Sequence, residues 1–277
     1  MIDLSMLNLG IWGAFPTSTL AALFAIAVIA GCIDAIAGGG GLLCVPAMLW
    51  AGLSPAQTLA TNKLQSAVGT FSATLHFFQA GAIDLAAMRW IAAAVLTGAV
   101  AGSIAVQSID PGFLRIALPW MLMGIAAYFL FKPNLGELDR QQRLSPTIFT
   151  LTAAPLIGFY DGFFGPGAGS FYAIALVDLL GFNLTRATAN TKLLNLTSNA
   201  AALLAFLTGG NLVWSVGLAM AAGQFLGAKL GSHLVLTKGA RLVRPLLVVM
   251  SVALTIKLLA SDPDNWAHHL AHSLNLY

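Results

Sequence analysis

Two lysines give the first chemical signal in this sequence. Lys63 and Lys192 each stand near the head of a long apolar stretch, within Thr61-Asn62-Lys63-Leu64-Gln65 and Asn190-Thr191-Lys192-Leu193-Leu194. An ammonium group in a lipid-spanning helix is expensive, so it faces a cavity or a partner, or reaches a headgroup from a helix end. Polar residues recur at intervals of four beside each lysine: Asn62, Ser66 and Thr70 in one stretch, Thr191, Asn195 and Asn199 in the other. That spacing gathers each set on one helix face. Two polar stripes, each headed by a cation, can line one cavity and draw in an anion.

A second signal is a pair of glycine breaks. Ala37-Gly38-Gly39-Gly40-Gly41 and Gly165-Pro166-Gly167-Ala168-Gly169, with Ser170 following, each lie between apolar helical stretches. No strand precedes them, so a nucleotide-binding reading fails. Close helix packing is the plainer explanation, but four consecutive glycines cost much for packing alone. Inside a membrane, non-helical backbone is tolerated where it is buried in protein or lines a water-filled cavity. A helix that restarts after such a break offers free N–H groups and a partial positive charge to an anion. Asp34 and Asp161 stand four residues before Gly38 and Gly165. Either they couple transport to protons, or they form fixed ion pairs with the lysines or cap the broken helices.

The elements that must hold these groups are helices in lipid. Of 277 residues, 58% are hydrophobic and only 8% charged, and the mean hydropathy is +0.85. Soluble domains carry about 25% charged residues, so most of this surface must face lipid. Ten helical pieces are expected, at 17–37, 42–51, 55–79, 86–107, 112–131, 146–164, 168–181, 185–208, 212–236 and 240–260. Pieces 42–51 and 168–181 are too short to span a bilayer as straight helices. The N-terminal run to Pro16 contains no Lys or Arg, so no cleaved signal peptide is expected.

The second half repeats the first. An offset of 127 relates Asp34 to Asp161 and Gly38 to Gly165, and an offset of 129 relates Lys63 to Lys192, Gly98 to Gly227, Gly102 to Gly231 and Arg115 to Arg244. Duplicated halves are the common plan of secondary transporters. Lys and Arg favour cytoplasmic loops. Lys132, Arg140 and Arg143 mark the central loop as inside, and Lys229, Lys238, Arg241 and Arg244 mark 232–244 as inside, while 103–115 holds only Arg115. Repeat partners on opposite faces mean inverted repeats. The expected plan is all-α and polytopic, with about five helical segments per repeat: repeats at 1–131 and 146–277, joined by a cytoplasmic linker at 132–145, with both termini outside.

Other features carry ordinary readings. The net charge of +3 is too small and scattered for nucleic acid. Cys32 and Cys44 lack ligands at metal spacing and read as packing residues, His76 reads as packed, and His268, His269 and His272 form no metal motif. Neither HExxH nor GxSxG occurs, so no enzyme is indicated. No cofactor or metal is expected.

At this point the residues carry a resemblance. Gly31-Cys-Ile-Asp-Ala-Ile-Ala-Gly-Gly-Gly-Gly-Leu-Leu, with Ala60-Thr-Asn-Lys-Leu-Gln65, resembles the first signature of the TauE/SafE sulfite-exporter family, and Gly158-Phe-Tyr-Asp-Gly-Phe-Phe-Gly-Pro-Gly-Ala-Gly-Ser170 resembles its partner signature. The resemblance runs from about Ala21 to Leu259 and is strongest to the poorly characterised bacterial inner-membrane permeases. It implies export of sulfite, sulfonates or related small organic anions from the bacterial inner membrane. The expected site joins Gly38, Gly39, Gly40, Gly41, Asn62, Lys63, Gln65 and Ser66 to Gly165, Gly167, Ala168, Gly169, Ser170, Asn190, Thr191, Lys192, Asn195 and Asn199. The expected partners are a small anion and membrane lipid, and a homo-oligomer is compatible with the reading. A passive anion channel, or a cation- or proton-linked carrier using Asp34 and Asp161, stands as the alternative.

Overall fold

The computed structural model describes residues 15–114 and 142–238, with 117, 118, 120, 121 and 124 between them. The expected pieces 112–131 and 240–260, most of the linker and the histidine-bearing tail lie largely or wholly outside the described residues. All regular structure among the described residues is helical. We number the helices α1 Thr17–Ala37, α2 Gly41–Trp50, α3 Pro55–Gln79, α4 Leu85–Gln107, α5 Pro146–Leu151, α6 Ala153–Phe163, α7 Ala168–Asp178, α8 Leu184–Thr208 and α9 Trp214–Lys238.

Local chemistry sets these limits. Ser54 and Gln57 form a reciprocal capping box at the head of α3, with Gln57 Oε1 accepting from the Ser54 N–H at 3.0 Å. Asp84 and Asn183 cap α4 and α8 by accepting from the Ala87 and Arg186 N–H groups at 3.0 and 2.9 Å. The α1 helix stops at Gly38, whose φ of 79° is left-handed and open to glycine. The piece expected at 146–164 is interrupted instead at Thr152, where φ is −122° and ψ is −77°. Pro155 explains the interruption: it has no N–H for the Leu151 carbonyl and its ring crowds that carbonyl. Elsewhere the limits fall within three residues of those expected.

The long helices bury small and polar residues and turn bulky apolar ones outward. Ile29, Leu96, Ile104, Leu156, Leu204, Leu226 and Leu230 are all exposed. An apolar exterior around a partly polar interior suits lipid as solvent. Thr17–Ala37 and Leu85–Gln107 are long and apolar enough to cross a membrane on composition alone. The α3, α8 and α9 helices are each 25 residues long, and α3 and α8 carry most of the buried polar groups among the described residues.

Runs of close contacts fix the helix directions. Gly223 lies against Phe24 and Ala27, Gly227 against Val28 and Gly231 against Cys32 and Ala35, so α1 and α9 run parallel. Gly158 against Val95 and Gly162 against Ala99 make α4 and α6 parallel in the same way. The Val213 N–H donates to Thr61 Oγ1, while Ser72 Oγ donates to the Phe225 carbonyl, so α3 also runs with α9. Asp84 pairs with Arg186, and Gln107 donates to the Ala205 carbonyl, so α4 runs with α8. The chain turns back between α3 and α4 within residues 80–84. Two sets of opposed helices result: α1, α3 and α9 against α4, α6 and α8.

The two ends of the molecule differ in charge. At one end Arg143 donates its N–H to the Leu179 carbonyl, Arg186 meets Asp84, Arg89 sits in the second turn of α4, and the His233 ring lies tilted against that of His76. At the other end lie residues 51–54, 108–112 and 209–213, which contain no Lys or Arg.

Candidate functional site

The α3 and α8 helices cross in the middle of the bundle and bring the two halves together. Lys63 lies about a third of the way along α3, and Lys192 lies equally far from the head of the oppositely directed α8. Neither reaches water: both side chains are 1% exposed. Each finds an aspartate from the other half. Lys63 Nζ lies 3.0 Å from Asp161 Oδ1, and Lys192 Nζ lies 3.3 Å from Asp34 Oδ2. Each lysine also donates to the backbone carbonyl of its aspartate. Lys63 gives a third hydrogen bond to Asn199 Oδ1 at 3.3 Å, and Ser198 Oγ donates to Asp161 Oδ2. Two ammonium groups and two carboxylates thus sit in an apolar bundle with no net charge.

The glycine breaks make this crossing possible. A Cβ on Gly38 would fall 2.4 Å from the Gly169 carbonyl carbon, so the breaks touch backbone to backbone. Ser170 Oγ donates to the Ala37 carbonyl at 2.5 Å and ties α7 to the end of α1. A Cβ on Gly165 would fall 2.8 Å from Lys63 Nζ, so the second break leaves room for the ammonium. In the first break Asp34 Oδ1 accepts from the Gly40 N–H at 3.0 Å. At the second, Gly167 begins α7 with no side-chain cap.

Beside Lys192 the bundle leaves a narrow cleft with free space of about 20 Å³, room for about one water. Its polar lining is Ser170, Asp178, Thr188, Thr191 and Lys192, and its apolar lining includes Ile36, Ile174, Val177 and Leu184. It therefore runs from the Gly38–Gly169 contact toward the head of α8, at the basic end. Of the residues expected at the site, Gly38, Gly169, Ser170, Thr191 and Lys192 line the cleft. Lys63, Asp161, Gly165 and Asn199 form the sealed cluster opposite. Asn195 Nδ2 lies against Gly169, while Asn62 accepts from Gln65 within α3 at 2.8 Å. Gly39, Gly41, Ser66, Ala168 and Asn190 line no section of the cleft; Thr70 bonds back to the Ser66 carbonyl, and Asn190 to that of Arg186.

The chain matches the model of the sulfite exporter TauE/SafE family over residues 23–258. It belongs to the TauE/SafE family. It is 48% identical over 257 residues to the Probable membrane transporter protein YfcA of Escherichia coli (strain K12), covering 93% of this chain and 94% of that one. A Sinorhizobium relative, Probable membrane transporter protein ORF9, is 49% identical over 90% of this chain and 97% of its own. A Haemophilus influenzae protein, Probable membrane transporter protein, is 47% identical over the same shares. No solved structure matches. This member of the TauE/SafE family is an all-helical membrane protein whose relatives carry transporter names.

Sequence reasoning passed over Ser198 and Thr188. Ser198 follows Asn195 by three and precedes Asn199 by one, so it shared the polar stripe's edge and was detectable by helical spacing. Thr188 lies one turn before Lys192 on the same face. Asp178, which has no acidic repeat partner and reads from the sequence as facing a loop, lines the cleft instead.

Proposed function

We propose that this TauE/SafE protein is a secondary transporter that exports a small anion, such as sulfite, a sulfonate or a related organic acid, by alternating access. The observation that carries the reading is the contact of two broken helices beside two buried charge pairs. Buried ionisable groups in a membrane protein mark a transport path by default, and discontinuous helices meeting in mid-bundle are where transporters bind their substrates. Lysine ammonium groups and the restarted helices α2 and α7 supply positive potential for an anion. Opposed helix directions between the halves support two inverted repeats rocking about the α3–α8 crossing. The basic end faces the cytoplasm of a bacterial cell under this reading, with the linker on that side and both termini in the periplasm.

The test is flux in purified, reconstituted protein loaded with sulfite, sulfoacetate or acetate. Wild-type protein exports at least one of these anions saturably. Lys63→Ala with Lys192→Ala abolishes that flux in protein that still reaches the membrane. Normal flux in the double variant would remove the anion assignment, and flux that never saturates would favour a channel.

A further inference from the structure

The two charge pairs are related by the repeat, but their surroundings are not. Asp161 is 2% exposed, and its carboxylate is fully occupied by Lys63 and Ser198. Asp34 is 18% exposed, and its lysine partner lines the cleft. The sequence encodes this difference. The counterpart of Ser198 at an offset of 129 is Gly69, which has no hydroxyl; Asp34 Oδ1 accepts from the backbone N–H of Gly40 instead, so the two pairs differ in exposure and in the source of the second donor. Thr188, on the cleft wall, has Leu59 as its counterpart at the same offset, and Ser170 has Leu43 at the offset of 127. Leu43 and Leu59 carry no hydrogen-bonding group, so at these two positions the first repeat lacks the polar wall of the second, while Asn62 and Lys63 stand where the second repeat has Thr191 and Lys192.

We propose that the Lys192–Asp34 pair is the single exchangeable anion site and that the Lys63–Asp161 pair is a permanent pin. This rests on the anion-transport reading above. In the resting state Asp34 occupies Lys192 as an internal counter-anion. An incoming oxyanion takes the place of that carboxylate on Lys192. Thr191 completes the site: it is 1% exposed, it lines the cleft, and its Oγ1 has no hydrogen-bond partner. An entering oxyanion relieves the cost of burying that hydroxyl unpaired. Gly169 and Ser170 in the first turn of α7 line the same space, where the helix dipole favours negative charge, although the Ala168, Ser170 and Phe171 N–H groups already donate to backbone carbonyls. The bound oxyanion adds one negative charge to the bundle, and that charge leaves when the oxyanion is exported.

The prediction has a direction that a structural role does not share. Removing an internal competitor tightens binding of the external one. Full-length Asp34→Asn protein in detergent therefore binds the best of sulfite, acetate and methanesulfonate at least tenfold more tightly than wild type, and that anion restores its Tm. Asp161→Asn protein has a lowered Tm that no anion restores, and its affinity does not rise. Tightening in Asp161→Asn, or none in Asp34→Asn, would overturn the assignment and leave the anion reading in place. Thiol labelling gives a second arm, with Cys32 and Cys44 replaced by alanine. Thr188→Cys reacts with a sulfonate-bearing thiol reagent at least tenfold faster than Leu59→Cys. If no anion binds wild type or either variant, the transport reading fails, and equal labelling at the two positions independently overturns the asymmetry.

Discussion

At the scale of single residues, charge pairing inside an apolar bundle makes each partner dependent on the other. Lys63→Ala leaves the Asp161 carboxylate buried without a cation, a change that costs about 3–5 kcal/mol. The expected result is a marked fall in Tm in detergent, largely recovered when Asp161→Asn is added. A double variant no more stable than the single one would show that the lysine acts through packing and not charge. Gly38 is the second sensitive residue. Its φ is 79°, and a Cβ there would meet the Gly169 backbone at 2.4 Å. Gly38→Ala combines left-handed strain of roughly 1–2 kcal/mol with that collision, so the folded yield falls sharply, while Gly52→Ala, where a Cβ meets nothing within 4 Å, carries only the strain. Equal yields for the two would contradict the backbone contact at the crossing.

At the scale of elements, glycine faces hold helices at very short range. A Cβ on Gly227 would lie 1.9 Å from the Val28 carbonyl oxygen, so α1 and α9 touch backbone to backbone, as small residues permit in membranes. Gly227→Leu forces them apart and lowers Tm, whereas Leu226→Ala on the exposed face leaves Tm within about 1–2 °C, as surface changes usually do. Much of this architecture was legible in advance. The bounds 17–37 and 55–79 coincide with α1 and α3, because Ser54-Pro55 and Gly38 punctuate an apolar run by local chemistry. The Thr152 interruption escaped notice because apolar periodicity continues through it, and only Pro155 betrays it. At the site, the stripes on α3 and α8 were readable from spacing. The crossing of the pairs was not, since Lys63 and Asp161 are separated by 98 positions and helical period carries no information about neighbours that distant. The sealing of one pair by Ser198 depends on a difference between repeats, which a search for matches passes over.

At the scale of the whole molecule, the two ends carry the orientation argument. A cysteine placed at Gln142 or Ala82, both at the basic end, is expected to react with a membrane-impermeant thiol reagent only from the cytoplasmic side, and one at Gly210 or Gly52 only from the periplasm. The opposite pattern would invert the whole assignment without disturbing the fold. The close pairing of α1 with α9 has another consequence, for how the protein is made. The glycine face of α9 leaves the ribosome roughly 200 residues after the face of α1 that it covers, a delay of ~10–40 s at ordinary synthesis rates. During that interval α1 stands in the membrane with its small-residue groove open to any passing helix. Biogenesis therefore exposes the nascent chain to mispairing, and a membrane insertase or a crowded translocon exit that shelters α1 until α9 arrives is expected to raise the yield of correctly assembled protein.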